Sequence, residues 1–420
     1  MVRAGWALLA AGCACVRVEW TQTARNSDGS LVLLRDMAHL SMGSLDGAGE
    51  KGVVVDRGTR HQTFEGFGGA FTAAAAINWR SLTPADQAEL IHLYFDAPDA
   101  GGLGYTMGRV PINSCDFTPA SYNFDDTDGD VGLQHFDANV TRDVENGMVP
   151  MIQAAQAAVR RRGLELKLLA SPWSPPAWMK LPVHGVAGDP GTGLRSMTLS
   201  AKPNGLDPAM QRPWASYFSR WISAYRAHGI RIWGVTVQNE PEATAGWEAM
   251  LWTAQFMADF VREHLGPVLA ADHPHVSIWG FDHNKDHVAD WARVLYADPG
   301  AAKYLAGVGV HWYGGLQMDK LQEAHEIAPE KRILATEACN CVGNVVYSSP
   351  SIAAWWTRAE RLAIDILEDL RFWTVRAEKM PRYAAPPGCV VCADACAAPT
   401  RRLAGSTGTC SSTPRAVRTI

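Results

Sequence analysis

Two glutamates stand apart from the other acids of this 420-residue chain. Glu240 and Glu337 lie 97 residues apart, and each follows directly on an apolar run, Ile232–Gln238 and Lys331–Thr336. A carboxylate at the end of a buried strand is costly unless it is paired or used. Two carboxyl groups flanking a cleft are what cleavage of a glycosidic bond requires. One protonates the leaving oxygen, and the other attacks the sugar or activates a water. For most other acids of the chain a solvated surface charge is the better reading.

The ends of the other apolar runs carry polar residues too. Arg109 closes one and is followed by Asn113, Asp116 and Phe117. Ser171-Pro172-Trp173-Ser174, Asp282 and His311-Trp312-Tyr313 close three more. Other chemistries fit less well. Cys389-x2-Cys392-x3-Cys396 lacks a second pair at zinc spacing. His283 and His287 have the histidine spacing of an H-E-x-x-H site, but Asn284 stands where the glutamate belongs, so the pair reads as a solvated loop. Cys115, Cys339 and Cys341 lie within or beside the candidate site without a base-and-orienter arrangement of their own. The motifs call for no cofactor and no metal. Asn139-Val140-Thr141 is a glycosylation sequon if the chain is secreted.

The elements that must hold these residues read as strands at Thr63–Gly68, Gly104–Val110, Glu165–Ala170, Ile232–Gln238, His275–Phe281, Ala306–Trp312 and Lys331–Thr336. Near-continuous apolar runs are the mark of parallel strands covered on both faces. Helical segments lie between them. Thr83-Pro84 and Ser349-Pro350 are N-cap and first-turn signals, the first within Ser81–Phe95 and the second opening a helix to about Val375. Asp207–His228 stops at Gly229, and Ala249–Leu265 is expected to end at Gly266-Pro267. Seven alternations over this length predict an α/β fold of the (β/α)8 TIM-barrel type, whose catalytic groups sit at the C-terminal strand ends. No dinucleotide-type glycine spacing follows the first strand.

Composition bounds the rest. With 47% hydrophobic and 19% charged residues and a net charge of −5, nothing suggests nucleic-acid binding. No apolar run reaches the length of a spanning helix. Residues 1–50 read as an N-terminal extension whose first 16 resemble a secretory leader, pointing to a secreted or lysosome-like compartment. Residues 51–375 form the barrel body. Residues 376–420 carry seven basic against two acidic residues, four of the nine cysteines and none of the 16 tryptophans, and read as a disordered tail.

Six ordered motifs within residues 50–375 resemble glycoside hydrolase family 30, and within it the lysosomal-type glucosylceramidases (acid β-glucosidases). They are QTFEGFGGAFTAAAA (62–76), GYTMGRVPINSCDF (104–117), LLASPWSPPAWMK (168–180), WGVTVQNEP (233–241), HWYGG (311–315) and TEACN (336–340). The segment 355–375 also resembles the family's last barrel helix. The resemblance implies a retaining mechanism with Glu240 as acid/base, its pKa raised by the anionic nucleophile, and Glu337 as nucleophile. It implies Arg109 as the support of Glu337, Asn239 on the sugar 2-hydroxyl, Asp116 accepting from sugar hydroxyls and Trp173 as a subsite wall. His311 and Tyr313 would orient the nucleophile, and Phe117 and Trp178 would pack around the site. The implied substrate is glucosylceramide, in sphingolipid breakdown, with contact to a membrane surface or an activator protein left open.

Family members continue into an eighth strand and a C-terminal β-sandwich, and neither is legible after Val375. An incomplete, seven-stranded barrel is therefore expected, with altered coding after Val375 as its cause and a strand near Leu31–Leu34 short of partners. Each buried unsatisfied backbone group would cost about 1–3 kcal/mol. Two alternatives stand beside the glucosylceramidase reading. One is a β-1,6-glucanase or xylanase of the same family; the other is a truncated, non-catalytic sugar-binding remnant.

Overall fold

The apolar runs pair as one parallel sheet of seven strands, and their C-terminal ends gather the polar residues. The computed structural model describes residues 61–181, 205–339 apart from 244 and 246, and 352–372, with residue 58 and four strands nearer the N-terminus. Those four are β1 (Val2–Arg3), β2 (Arg17–Arg25), β3 (Leu31–Asp36) and β4 (Leu40–Ser41). All three others pair antiparallel with β2, so the strand expected to lack partners has one, with Val32 opposite Ala24. Most of the leader, the 376–420 tail with its cysteines, residues 342–349 and 182–204 lie outside the described residues.

The parallel strands are β5 (Gly68–Ala70), β6 (Met107–Ile112), β7 (Lys167–Pro172), β8 (Gly234–Thr236), β9 (Ser277–Asn284), β10 (Leu305–His311) and β11 (Arg332–Glu337). They neighbour one another in chain order, as in a (β/α)8 barrel, and no eighth strand lies between β11 and β5 among the described residues. Helices cover the outer face, including Met148–Arg161, Gln211–Ala227, Val288–Ala297 and Ile352–Phe372.

Several expected boundaries move, three of them for a visible reason. The first strand was expected over Thr63–Gly68 but is confined to Gly68–Ala70. Gly66 has φ +137°, which takes the preceding residues off the ladder. A Cβ at Gly68 would stand 2.1 Å from the Met107 carbonyl oxygen, so the two backbones touch. Thr83 does cap a helix, but that helix is Pro84–Phe95, and a separate one, Ala73–Ser81, precedes it. Gly266-Pro267 does not end its helix. Ala254–Phe260 continues through a π-helical turn, Val261–Leu265, into Gly266–Asp272. The widened turn accommodates the proline that lacks a donor. Gly266 serves packing, because a Cβ there would lie 2.2 Å from the Tyr304 ring.

Strand alternation layers the barrel interior. Met107, Leu169, Trp279 and Leu334 form a separate apolar cluster at the lower level. Two residues further on three of these strands stand Arg109, Ser171 and Thr336, one level nearer the catalytic end, since residues i and i+2 share a face. At the opposite rim Glu65, just before β5, bonds Lys167 on β7 at 2.6 Å and Arg332 on β11. This carboxylate ties the two ends of the seven-stranded sheet together.

Candidate active site

Arg109 organises the catalytic end. Its guanidinium is 3% exposed and bonds four groups from four other strand ends. Nη1 donates to Glu337 Oε2, and Nη2 donates to Asn239 Oδ1 and Asp282 Oδ2, both at 2.8 Å. Nε donates to Ser171 Oγ at 3.1 Å. A planar fork of donors suits such multiple recognition, which the point charge of a lysine would not reproduce. The group also lies 4.8 Å from the Trp173 ring centroid, so one face of Trp173 is taken by a cation.

Asp282 is the member that the sequence reading named only as a strand end. It is fully buried and accepts from Arg109, from Thr236 Oγ1 at 2.6 Å and from Thr336 Oγ1 at 2.5 Å; its Oδ1 also lies 2.9 Å from His311 Nε2. Burial opposes its charge, but Arg109 and His311 outweigh burial and hold the carboxyl well below the usual range. Its position comes from a bulge. The pairing of β9 with β10 steps from Phe281 to His283 and leaves Asp282 unmatched; β10 and β11 likewise skip Thr336. A bulge re-aims side chains. Asp282 and Phe281 both have positive φ, +72° and +63°, and so does Glu240 at +46°. Left-handed backbone at non-glycine residues costs energy and collects at functional sites. Gly309 makes room, since a Cβ there would sit 3.1 Å from Asp282 Oδ1.

The two glutamates occupy different surroundings. Glu337 is held by Arg109 and by the Tyr313 hydroxyl, which donates to Oε1 at 2.7 Å. Partial burial of the hydroxyl, on a ring whose other edge is exposed, and the Glu337 charge push the Tyr313 hydroxyl above the ordinary phenol range, so it stays a donor. Glu240 faces two imidazoles instead, with His311 Nδ1 at 3.3 Å and His283 Nδ1 at 3.7 Å from Oε1. Burial would raise its carboxyl, but the His283 and His311 rings outweigh burial and hold it well below the usual range. The expectation that the neighbouring anion raises Glu240 is therefore corrected for the free chain. His311, although burial disfavours its charge, is pushed up to about 10 by Glu337, Asp282 and Glu240, so the proton resides on the ring.

The expected residues thus come together, with two reassignments. His311 was expected beside Tyr313 on the nucleophile, yet its hydrogen bonds go to Glu240 and Asp282. His283 is no solvated loop residue: it belongs to β9 and points at Glu240, while His287 lies on the surface and bonds Glu242. Asp282 and His283 follow the apolar run as directly as Glu337 follows its own, which marks them as strand-end residues but not the direction in which each points. Asp116 sits near both glutamates. Partial burial, then the charges of Glu337 and Glu240, push its carboxyl up to about 7, with solvent at the exposed side chain screening part of this. Cys115 and Cys339 are buried. Cys341 lies outside the described residues.

Comparison with known proteins places this geometry. The profile of the "Glycosyl hydrolase family 30 TIM-barrel domain" matches residues 64–381. A glucosylceramidase-type protein of Caenorhabditis elegans is 36% identical over 329 residues, 76% of this chain and 58% of its own length. The lysosomal acid glucosylceramidase of Mus musculus is 31% identical over 328 residues, 75% of this chain and 59% of its own length. The chain therefore spans under two thirds of these relatives. Among solved structures, SrfJ of Salmonella typhimurium superposes with TM-score 0.63 at 27% identity, covering 79% of this chain and 65% of SrfJ. An endo-β1,6-glucanase gives the same TM-score and identity, covering 79% of this chain and 67% of its own.

Proposed function

This chain belongs to glycosyl hydrolase family 30, and from that premise we propose that it cleaves β-glucosidic bonds with retention, with glucosylceramide as substrate. The observation that carries the reading is the division of labour between two carboxylates at one barrel mouth. Glu337, fixed by Arg109 and Tyr313 with one oxygen on each, is the nucleophile. Glu240, hydrogen-bonded to a protonated histidine, is the acid/base.

The first step forms a bond from Glu337 to the anomeric carbon and breaks the glycosidic bond, and the leaving oxygen takes a proton from Glu240. In the free chain that proton lies on His311 Nδ1, 3.3 Å from Glu240 Oε1. The two groups titrate as a pair. Transfer along this contact yields a neutral imidazole and a protonated Glu240, and it requires that bound substrate reverse the order of proton affinity that the free chain holds. In the second step the Glu240 carboxylate takes a proton from water, and the oxygen of that water displaces Glu337. Asn239, oriented by Arg109, is in place for the sugar 2-hydroxyl. Asp116, near both glutamates, accepts from the sugar hydroxyls. Trp247, Tyr313 and Leu316 are exposed apolar residues on the loops after β8 and β10 and suit a lipid aglycone.

A second reading, hydrolysis of β-1,6-glucan, is favoured by likeness to the endo-1,6-beta-D-glucanase of Neurospora crassa, 30% identical over 281 residues. Turnover of glucosylceramide and of β-1,6-glucan by the purified chain tests both, with Glu240→Gln as control. Faster release of glucose from the lipid supports the first reading, and faster release of new reducing ends from the glucan supports the second. Folded protein that binds glucose analogues and turns over neither of these substrates nor xylan leaves only a sugar-binding remnant.

A further inference from the structure

Three ligand-type atoms converge where the reaction uses only two. Glu240 Oε1 lies 3.3 Å from His311 Nδ1 and 3.7 Å from His283 Nδ1, and one ligand atom from each residue falls within 4.8 Å of the others. Tetrahedral zinc with nitrogen and oxygen ligands at about 2.0–2.1 Å spreads them roughly 3.3–3.4 Å apart, so the atoms draw together on binding. Two histidines and one glutamate are an established zinc set. The supporting shell is also built. His311 Nε2 is bonded to Asp282 at 2.9 Å, the carboxylate–histidine arrangement that fixes a ring and raises its basicity as a ligand. His283 Nδ1 is buried without a hydrogen-bond partner, and no step of the hydrolysis employs it. All three residues stand at or just beyond the ends of adjacent strands, β8, β9 and β10, and so on a rigid frame.

We propose that Glu240, His283 and His311 form a site for one divalent transition-metal ion of the zinc class, which occupies the catalytic mouth in place of a substrate. The groups facing His311 are Glu240, Asp282, Glu337, the His283 ring and the Tyr313 ring. Three carboxylates thus favour added positive charge here, two of them, Asp282 and Glu337, being shared with Arg109. With the ion bound, Glu240 is a ligand and has no proton to give, so turnover stops until the metal leaves. That consequence rests on Glu240 being the acid/base; the binding does not.

Titration of the metal-stripped full chain with Zn2+, followed by calorimetry, and with Co2+, followed by visible absorption, tests the site. The expected result is one equivalent that Glu240→Gln and His283→Ala each weaken, by at least about the tenfold that loss of a mere supporting partner costs. The Co2+ spectrum should be four-coordinate without thiolate charge transfer, which separates the site from the chain's cysteines. Saturable binding that survives both substitutions, binding with a thiolate signature only, or no saturable binding overturns the proposal. Glu240→Gln is nearly isosteric and decides the matter if His283→Ala fails to fold. Hydrolysis of an aryl β-glucoside is read in parallel. Loss of turnover on Zn2+ addition agrees with both readings, whereas metal binding by a chain that never turns over leaves the site standing and removes the enzymatic reading.

Discussion

Two clusters of buried charge can be set side by side. At the barrel mouth Arg109 holds Asp282 and Glu337, and His311 joins them. Behind the mouth Lys285, fully buried, binds Asp365 and Asp369 of the last helix, both at 2.6 Å. Lys285 sets one cation against two carboxylates, whereas the mouth sets Arg109 and the protonated His311 against Asp282, Glu337 and Glu240. The clusters also differ in what is left over. Lys285 joins the end of β9 to helix Ile352–Phe372, and its carboxylates are turned wholly inward. The mouth cluster keeps edges toward the cleft, with Tyr313 38% exposed. It also stands on bulges and left-handed backbone, which the lysine cluster does not use. Buried charge alone does not mark an active site; buried charge on strained backbone with one open face does.

The difference can be broken by mutation. Glu337→Gln should abolish hydrolysis altogether. Glu240→Gln should lower it by about 10²–10⁴-fold on natural substrates, and much less on aryl glucosides whose leaving group needs no proton, as steady-state kinetics would read. Arg109→Met strands Asp282 and should cost about 3–5 kcal/mol of stability in urea unfolding together with nearly all activity. Lys285→Met should cost a similar about 3–5 kcal/mol, yet leave kcat per folded molecule unchanged. Activity lost with Lys285 in protein that is still folded would erase the distinction between the clusters.

A smaller effect concerns pH. The His311 pKa is raised from 6.5 to about 10, so the folded chain binds this proton more tightly than the unfolded one. Its contribution to stability is complete below about pH 6.5 and is lost as pH rises toward 10. His311→Asn should be less stable at neutral pH and lose less of its stability across that window. Equal slopes for the two proteins would contradict the pairing of His311 with Asp282 and Glu240.

Much of this was legible in the sequence for identifiable reasons. Apolar runs gave all seven barrel strands, and the polar residue after each run gave Arg109, Asn239, Glu240, His311, Tyr313 and Glu337. What escaped depends on one-residue shifts. Asp282 turns inward because of a bulge and a positive φ, and alternation cannot foretell either. His283 was misjudged because its spacing to His287 was read along the chain, while its partner is Glu240, 43 residues away. The ionisation of Glu240 could not be read from types and order, since it depends on two rings within 4 Å. Gly266-Pro267 misled because a π-helical turn keeps the helix going past a residue pair that ordinarily stops one.

The central claim is that Glu337 attacks the sugar while Glu240 governs the proton. Incubation with a 2-deoxy-2-fluoro β-glucoside bearing a good leaving group, followed by peptide mass mapping, tests it most directly. The account predicts one fluoroglucosyl adduct per chain, on Glu337, that still forms in Glu240→Gln. An adduct on any other residue would contradict it, as would folded, glucoside-binding protein that forms none.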